Sequence, residues 1–494
     1  MFTRRRFLWS AAATAPALAL HAQEKQPDPK PGGATPAAAP PVSCEEQLPA
    51  PILELKDRTP DIVPIPIDER NSRLDLAREL MKQYGMNAIV ITTGASLMYF
   101  TGANWWQSER LFAYIIPQSA APFIICPFLE RDRLADLLPK FPERDTTITY
   151  LWQENESPYD LLRRGFGEVS MTTGTVGIEE HTQFAFVTAI AAACPALKLV
   201  SATPVTAGCR SLKSPAEIAL LRLANHITFD VYKAVYLSCG PGDSNHKFSD
   251  LIDKAYARCG VRGSASVNVG PNAADPHGTG KPQIIHESEI VMIDDGCTVD
   301  GYTSDITRSF VYGKATDFQR SIFEIVLNAQ SAALGAAGPG VPMQIVDGAA
   351  RQVIVKAGYG PGYDYFTHRV GHGIGLDMHE WPYLVQGNDQ KMMAGMVFSD
   401  EPGIYLPGKF GIRLEDDMLI TDHGAELFTW QSPSLQDPFA IPAKSTEKSP
   451  DTTTPDATKP ADTKPSDAAP ATSPDATKPA PDKAPDSTPD TPKN

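Results

Sequence analysis

Apolar positions in residues 68–205 follow two periods in turn. Leu74, Leu76, Ala77, Leu80 and Met81 recur at helical spacing. Ala88-Ile89-Val90-Ile91-Thr92 and Phe123-Ile124-Ile125 are short continuous apolar runs of the kind that form buried strands. This alternation predicts a small α/β domain over 68–205. A second region is announced by Ser214-Pro215-Ala216-Glu217. Serine as N-cap, proline in the first turn and glutamate at the third helical position form a helix start with a capping box. From 206 to 440, long helical patterns mix with hairpin signals and predict an α+β domain. Outside these regions the pattern fades. Residues 23–67 are rich in Pro, Ala and Asp and read as a linker. The segment 441–494 repeats units such as Pro-Asp-Ala-Thr-Lys-Pro with almost no large apolar residues. Such a Pro/Thr/Asp/Lys tail has too little to bury to offset the entropy of ordering, and is predicted to be disordered.

The first 22 residues read as a leader rather than as part of a fold. Thr3-Arg4-Arg5-Arg6-Phe7-Leu8 precedes an Ala/Leu-rich run to Leu20, with small residues at Ala17, Ala19 and Ala22 for cleavage. The run is too short and alanine-rich for a good membrane span. Its arginine pair resembles a twin-arginine signal, which implies export of a folded protein to the periplasm; a general secretory signal or an uncleaved anchor is the alternative. No membrane insertion is expected after processing. The 494 residues leave room for two or three domains. A formal net charge of −15 disfavours nucleic acid and anionic membranes as partners. Seven cysteines include no CxxC pair, which argues against a thiolate zinc site.

Candidate chemistry lies in three segments. In the first, an apolar strand Ile290-Val291-Met292-Ile293 ends in Asp294, and Asp305 follows Tyr302-Thr303-Ser304. Asp300-Gly301 between them is a two-residue hairpin signal. A hairpin closed there sets Asp294 opposite Thr307 and puts Asp305 on the same face, near enough to share a cation. The second segment, His368 to His379, holds three histidines (His368, His372 and His379) among Gly371, Gly373 and Gly375. Those glycines argue against a helix and for close backbone approach. The third places Glu401 and Glu415 on either side of Pro407-Gly408 and Gly411, a second hairpin. Each segment alone also fits a bland reading: aspartates beside a turn, histidines solvating a loop, acids flanking a hairpin. Together, four carboxylates and one imidazole form a mainly hard ligand set suited to Mn, Fe or Co, with Zn as an alternative. Two adjacent cations would activate a bridging water for hydrolysis.

In their order and spacing these residues resemble the pita-bread metallopeptidases, the M24 family that includes methionine aminopeptidase, aminopeptidase P and prolidase. The resemblance spans about residues 68–440. It implies an α+β fold: a pita-bread catalytic domain preceded by a smaller α/β creatinase/prolidase-type domain. It also implies two divalent ions, Mn(II) foremost, with Asp294 on one metal, His372 and Glu401 on the other, and Asp305 and Glu415 bridging. The N-terminal domain and the three-histidine run place the chain nearer the proline-specific members than methionine aminopeptidase. His368, His379 and Arg413 match positions that contact substrate or stabilise the reacting carbonyl. His277, in Asp275-Pro276-His277-Gly278, matches a histidine seventeen residues before the first aspartate. Met98-Tyr99-Phe100-Thr101-Gly102 matches an N-domain motif. The implied activity is an Xaa-Pro aminopeptidase acting on peptides with proline in second position, assembled as a homodimer or homotetramer; the leader adds the expectation that it is exported. Glu401 is expected to be ligand and proton acceptor. Alternatives within the fold are an Xaa-Pro dipeptidase, a metal-dependent small-molecule enzyme and a non-catalytic peptide-binding relative. Trp105-Trp106 reads as packing, with a place at a site as the alternative.

Overall fold

The apolar runs of the N-terminal half become strands buried on both faces. The computed structural model of the chain describes residues 48–441; the leader, the first part of the linker and the tail beyond Ile441 lie outside the described residues. The N-terminal domain carries β1 (Ala88–Ile91), β2 (Ala113–Pro117), β3 (Phe123–Pro127), β4 (Ile148–Trp152), β5 (Gly174–Ile178) and β6 (Leu197–Ser201) in one mixed sheet of order β4-β3-β2-β1-β5-β6. The strand period of two divides its side chains between two cores. Ile89, Ile91, Tyr114 and Ile124 meet residues from the helices Ile67–Gln83, Gly94–Thr101 and Thr203–Ser211. Val90, Ile115, Phe123 and Ile125 meet Leu162, Phe166, Phe186 and Ile190 of the helices Pro158–Glu168 and Phe184–Ala193. Helices on both faces explain why these strands are continuously apolar rather than alternating.

Two expected boundaries move. The division at 205/206 would cut the helix Thr203–Ser211, which packs on the helix Ile67–Gln83 of the N-terminal domain. The better marker is the helix start at Ser214, where the expected capping box with Glu217 is present. The linker reading of 23–67 fails for its second part. There the short helix Ala50–Leu53 packs on the helix Pro215–Tyr236 of the catalytic domain, and Ile52 and Ile65 are buried. The Arg58 backbone N–H donates to the Cys259 carbonyl at 2.9 Å. A few well-spaced apolar side chains outweigh a proline-rich composition.

The catalytic domain layers its strands between two helix pairs, Pro215–Tyr236 with Asn245–Arg258 and Asp317–Ala336 with Met343–Lys356. The strand Ile290–Asp294 shows the division: Val291 and Ile293 enter one core, Ile290 and Met292 the other. Both expected hairpins form. Asp300 and Gly301 adopt positive φ of 45° and 92°, a two-residue turn. Val299 pairs with Tyr302, and the same register resumes at Ile293 and Arg308. Asp294 therefore faces Thr307. In the second hairpin Gly403 pairs with Arg413 and, beyond it, Asp400 with Asp416, so Glu401 faces Glu415. Gly371–Gly373 is a strand, and a Cβ at Gly371 would lie 2.0 Å from the Ser399 carbonyl oxygen. The six described cysteines other than Cys44 are free thiols. No helix among the described residues is long and apolar enough to cross a membrane.

Candidate metal centre

The three segments meet at a pocket of about 750 Å³ lined by Asp294, Asp305, His372, Glu401 and Glu415, with His277, His368, His379 and Arg413 around them. The ligand-capable atoms of Asp294, Asp305 and Glu415 lie within 4.8 Å of one another. The same holds for His372, Glu401 and Glu415, and for Asp305, His372 and His379. Asp305, Glu415 and His372 each belong to two of these overlapping groups, and of the three only the carboxylates have two oxygens with which to serve two neighbouring cations.

Hydrogen bonding, burial and neighbouring charge set the state of these side chains. His372 Nδ1 lies 3.0 Å from the Gly373 carbonyl oxygen, so it carries the ring proton and donates. Its Nε2 lone pair then faces Glu401 Oε1 at 3.4 Å and Asp305 Oδ2 at 3.7 Å. The lone pair and the two carboxyl groups thus converge, and the donor set fits two hard or borderline divalent ions. Burial, reinforced by His379, holds the His372 pKa well below its ordinary value, so the ring is neutral. Burial and the crowding of Asp294 raise Asp305 well above the carboxylate range, and burial with Asp305 does the same to Glu415. Burial pushes Glu401 up to about 7, against the pull of Arg413. Asp294 is the exception. Burial would raise it, yet the Arg413 guanidinium and the Thr307 hydroxyl hold it below its ordinary value. The Thr307 hydroxyl lies 2.5 Å from both Asp294 Oδ1 and Glu415 Oε2 but has one proton to give. In the metal-free protein Glu415 therefore carries its own.

Arg413 is buried and spends its whole fork on this wall. It pairs with Asp294, and it donates to Thr307 Oγ1 at 3.0 Å, to the Pro276 carbonyl at 3.1 Å and to Tyr405 Oη at 2.9 Å. The Pro276 contact ties down the loop that brings His277 to the pocket. Tyr405 was not expected. Its hydroxyl accepts from Arg413 and donates to His368 Nε2 at 2.7 Å, while His368 Nδ1 donates to the Arg369 carbonyl at 2.8 Å. Both nitrogens of His368 are thus engaged by protein. Burial and Arg413 lower its pKa to about 3. A signal for Tyr405 does exist in its glycine neighbours. A Cβ at Gly403 or Gly411 would come within 2.7 or 2.8 Å of the tyrosine, so both positions leave space for its ring. His379 faces the pocket with its ring centroid 4.1 Å from that of His372. Arg369, also unexpected, lines the same pocket. Trp105 is buried and stacks on Phe112, whereas Trp106 is 57 % exposed under Arg133; neither lines this pocket.

Comparison with known proteins agrees with this geometry. Residues 219–422 match Metallopeptidase family M24, and residues 73–212 match the Creatinase/Prolidase N-terminal domain. The chain is 32% identical to an Xaa-Pro dipeptidase from Lactobacillus helveticus, over 74% of this chain and 98% of that one. The chain belongs to metallopeptidase family M24. Its fold is the pita-bread catalytic domain with the creatinase-type domain in front, and it is a hydrolase of peptide bonds. Among solved M24 structures, dipeptidase PepE from Mycobacterium ulcerans superposes with a TM-score of 0.70 at 32% identity, covering 76% of this chain and 99% of that one. X-Pro aminopeptidase from Thermotoga maritima superposes with a TM-score of 0.63 at 26% identity, covering 74% and 99%. The M24 family depends on a dinuclear metal centre, and the acid and histidine cluster described above could hold one.

Proposed function

We propose that the protein is an Xaa-Pro dipeptidase that works with two Mn(II) ions, rather than the Xaa-Pro aminopeptidase that heads the expectations from sequence. The observation that carries the dipeptidase reading is Arg369. It lines the pocket, stacks on Tyr383 at 4.1 Å, and among the described residues has no carboxylate in ion-pair range. Arg413, by contrast, is fully engaged. An unpaired guanidinium beside the metal site suits the C-terminal carboxylate that a dipeptide places next to its scissile bond. The Lactobacillus relative named Xaa-Pro dipeptidase supports the same choice.

Two cations held by Asp294, Asp305, His372, Glu401 and Glu415 would supply a water of lowered pKa and a Lewis-acidic grip on the substrate carbonyl. Glu401, ionised once the cations bind and lining the pocket beside them, is suited to take a proton from the attacking water and return it to the leaving nitrogen. His379, held neutral chiefly by burial and by Arg369, offers a hydrogen bond to the developing oxyanion, and His277 lines the same pocket. Arg413 keeps Asp294 ionised and in place. The test is a peptide panel with Mn(II): Xaa-Pro, Xaa-Pro amide and Xaa-Pro-Yaa. Xaa-Pro should have the highest kcat/KM, and Arg369→Met should remove its advantage over the amide. Faster cleavage of Xaa-Pro-Yaa would restore the aminopeptidase reading, and no cleavage of any member would end the proline reading. We further propose that the enzyme is exported and oligomeric. The support for export is the arginine pair before an Ala/Leu-rich run. Activity that stays with the cytoplasm after osmotic shock would contradict export, and a monomer by light scattering would contradict oligomerisation.

A further inference from the structure

Buried ion pairs tie the N-terminal domain to the loop that carries His379. Arg210 stands in the last turn of the helix Thr203–Ser211, and Lys213 follows in the short connection to the catalytic domain. Both reach Glu380, the first residue of the strand Glu380–Leu384 and the next residue after His379. Lys213 Nζ lies 3.1 Å from Glu380 Oε2, and both side chains are 2% exposed. Arg210 Nη1 lies 2.9 Å from Asp377 Oδ2 and 3.5 Å from Glu380 Oε1. The direction of Arg210 is set from its own domain: Nη2 pairs with Glu180 Oε1 at 3.1 Å, and Glu180 accepts from Thr206 at 2.5 Å.

Glu380 in turn organises the loop from within. Its Oε1 accepts the backbone N–H groups of Leu376 at 3.1 Å and Asp377 at 3.2 Å. Gly375 leaves room for the carboxylate, since a Cβ there would lie 2.8 Å from Oε2. The loop therefore folds around the Glu380 carboxylate, while His379 faces the pocket beside His372. Burying this many charges is a poor route to stability, because desolvation consumes most of the Coulomb gain and apolar side chains of similar size would serve as well. What the cluster does fix is the path of residues 375–380, and with it the place of the His379 imidazole.

We propose that Arg210, Lys213 and Glu380 are positioning residues, through which the N-terminal domain and its connection to the catalytic domain hold His379 at the reacting group. The inference rests on the role given above to His379 and is independent of the proline preference. The N-terminal domain is on this account part of the catalytic apparatus. Displacement of a catalytic group by about 1 Å costs on the order of 100-fold in rate, so the effect belongs in kcat rather than KM.

The test is a double-mutant cycle on the Mn(II)-loaded, full-length enzyme with an Xaa-Pro dipeptide, joining Lys213→Met and His379→Ala. Lys213→Met should lower kcat by about 10- to 100-fold with KM within about threefold, at unchanged metal content. In the His379→Ala background the same change should have little further effect. Glu380→Gln, which keeps shape and acceptor oxygen but loses the charge, repeats the cycle should Lys213→Met not fold. Multiplicative losses in the double variant would overturn the inference while leaving His379 catalytic. An unchanged kcat in His379→Ala would overturn both the inference and the role of His379.

Discussion

Binding of metal at this site must displace protons, and the number can be worked out from the ligands. His372 is held neutral by burial; its one ring proton stays on Nδ1, so Nε2 has none to lose when it binds a cation. Glu401, pushed to about 7, is protonated in about nine molecules of ten at pH 6 and in about one of ten at pH 8. Ionising it at pH 6 costs about 1.4 kcal/mol, so Glu401 alone weakens apparent Mn(II) affinity about tenfold at pH 6 relative to pH 8. Asp305, raised by burial and Asp294, and Glu415, raised by burial and Asp305, steepen the dependence in the same direction. Isothermal titration in buffers of different ionisation enthalpy measures both quantities. The expected result is at least a tenfold gain in affinity from pH 6 to pH 8, with about one or more protons released per site at pH 6. For fold stability the sign reverses. A raised carboxyl pKa means that the folded protein holds a proton the unfolded chain has lost. That stability is present at pH below the ordinary value of 4.5 and is lost as pH rises through about 7. Bound metal removes this loss, so the Tm gain from Mn(II) should widen from pH 6.5 to pH 8. Affinity that is flat with pH and free of proton release would refute the reasoning.

Two substitutions test the frame of the site. Asp305→Ala removes a carboxylate shared by two ligand groups, so activity should fall by more than about 1,000-fold and metal content by at least half. Activity within about tenfold of the parent would count against a bridging role. Gly371→Ala puts a Cβ 2.0 Å from the Ser399 carbonyl oxygen, a backbone atom that cannot move alone. It should destabilise the protein by about 3 kcal/mol or more and disturb His372 next to it; thermal melting with and without Mn(II) gives the answer.

What the sequence made legible here is what travels along the chain. A two-residue turn at Asp300-Gly301 fixes register, so the facing of Asp294 and Thr307 could be read before any coordinates, and the structure keeps that register across an interruption. The Glu401 and Glu415 hairpin followed the same logic. Capping chemistry at Ser214 marked the domain boundary more accurately than the fading of apolar pattern did, because a cap is a local bond and a pattern is an average. Composition misled in residues 48–67, where Ile52 and Ile65 are too sparse to show a period yet bury fully against another element. Charge partners separated by long stretches of chain left no trace at all. Lys213 and Glu380 stand 167 residues apart, and neither has a neighbour in sequence that demands the other. Tyr405 falls between these cases. Gly403 and Gly411 flank it as visible holes, but only the folded hairpin shows that its hydroxyl fills the gap between His368 and Arg413. The candidate ligands could be read from order and register, whereas the groups that orient them come from whichever elements the fold packs behind them.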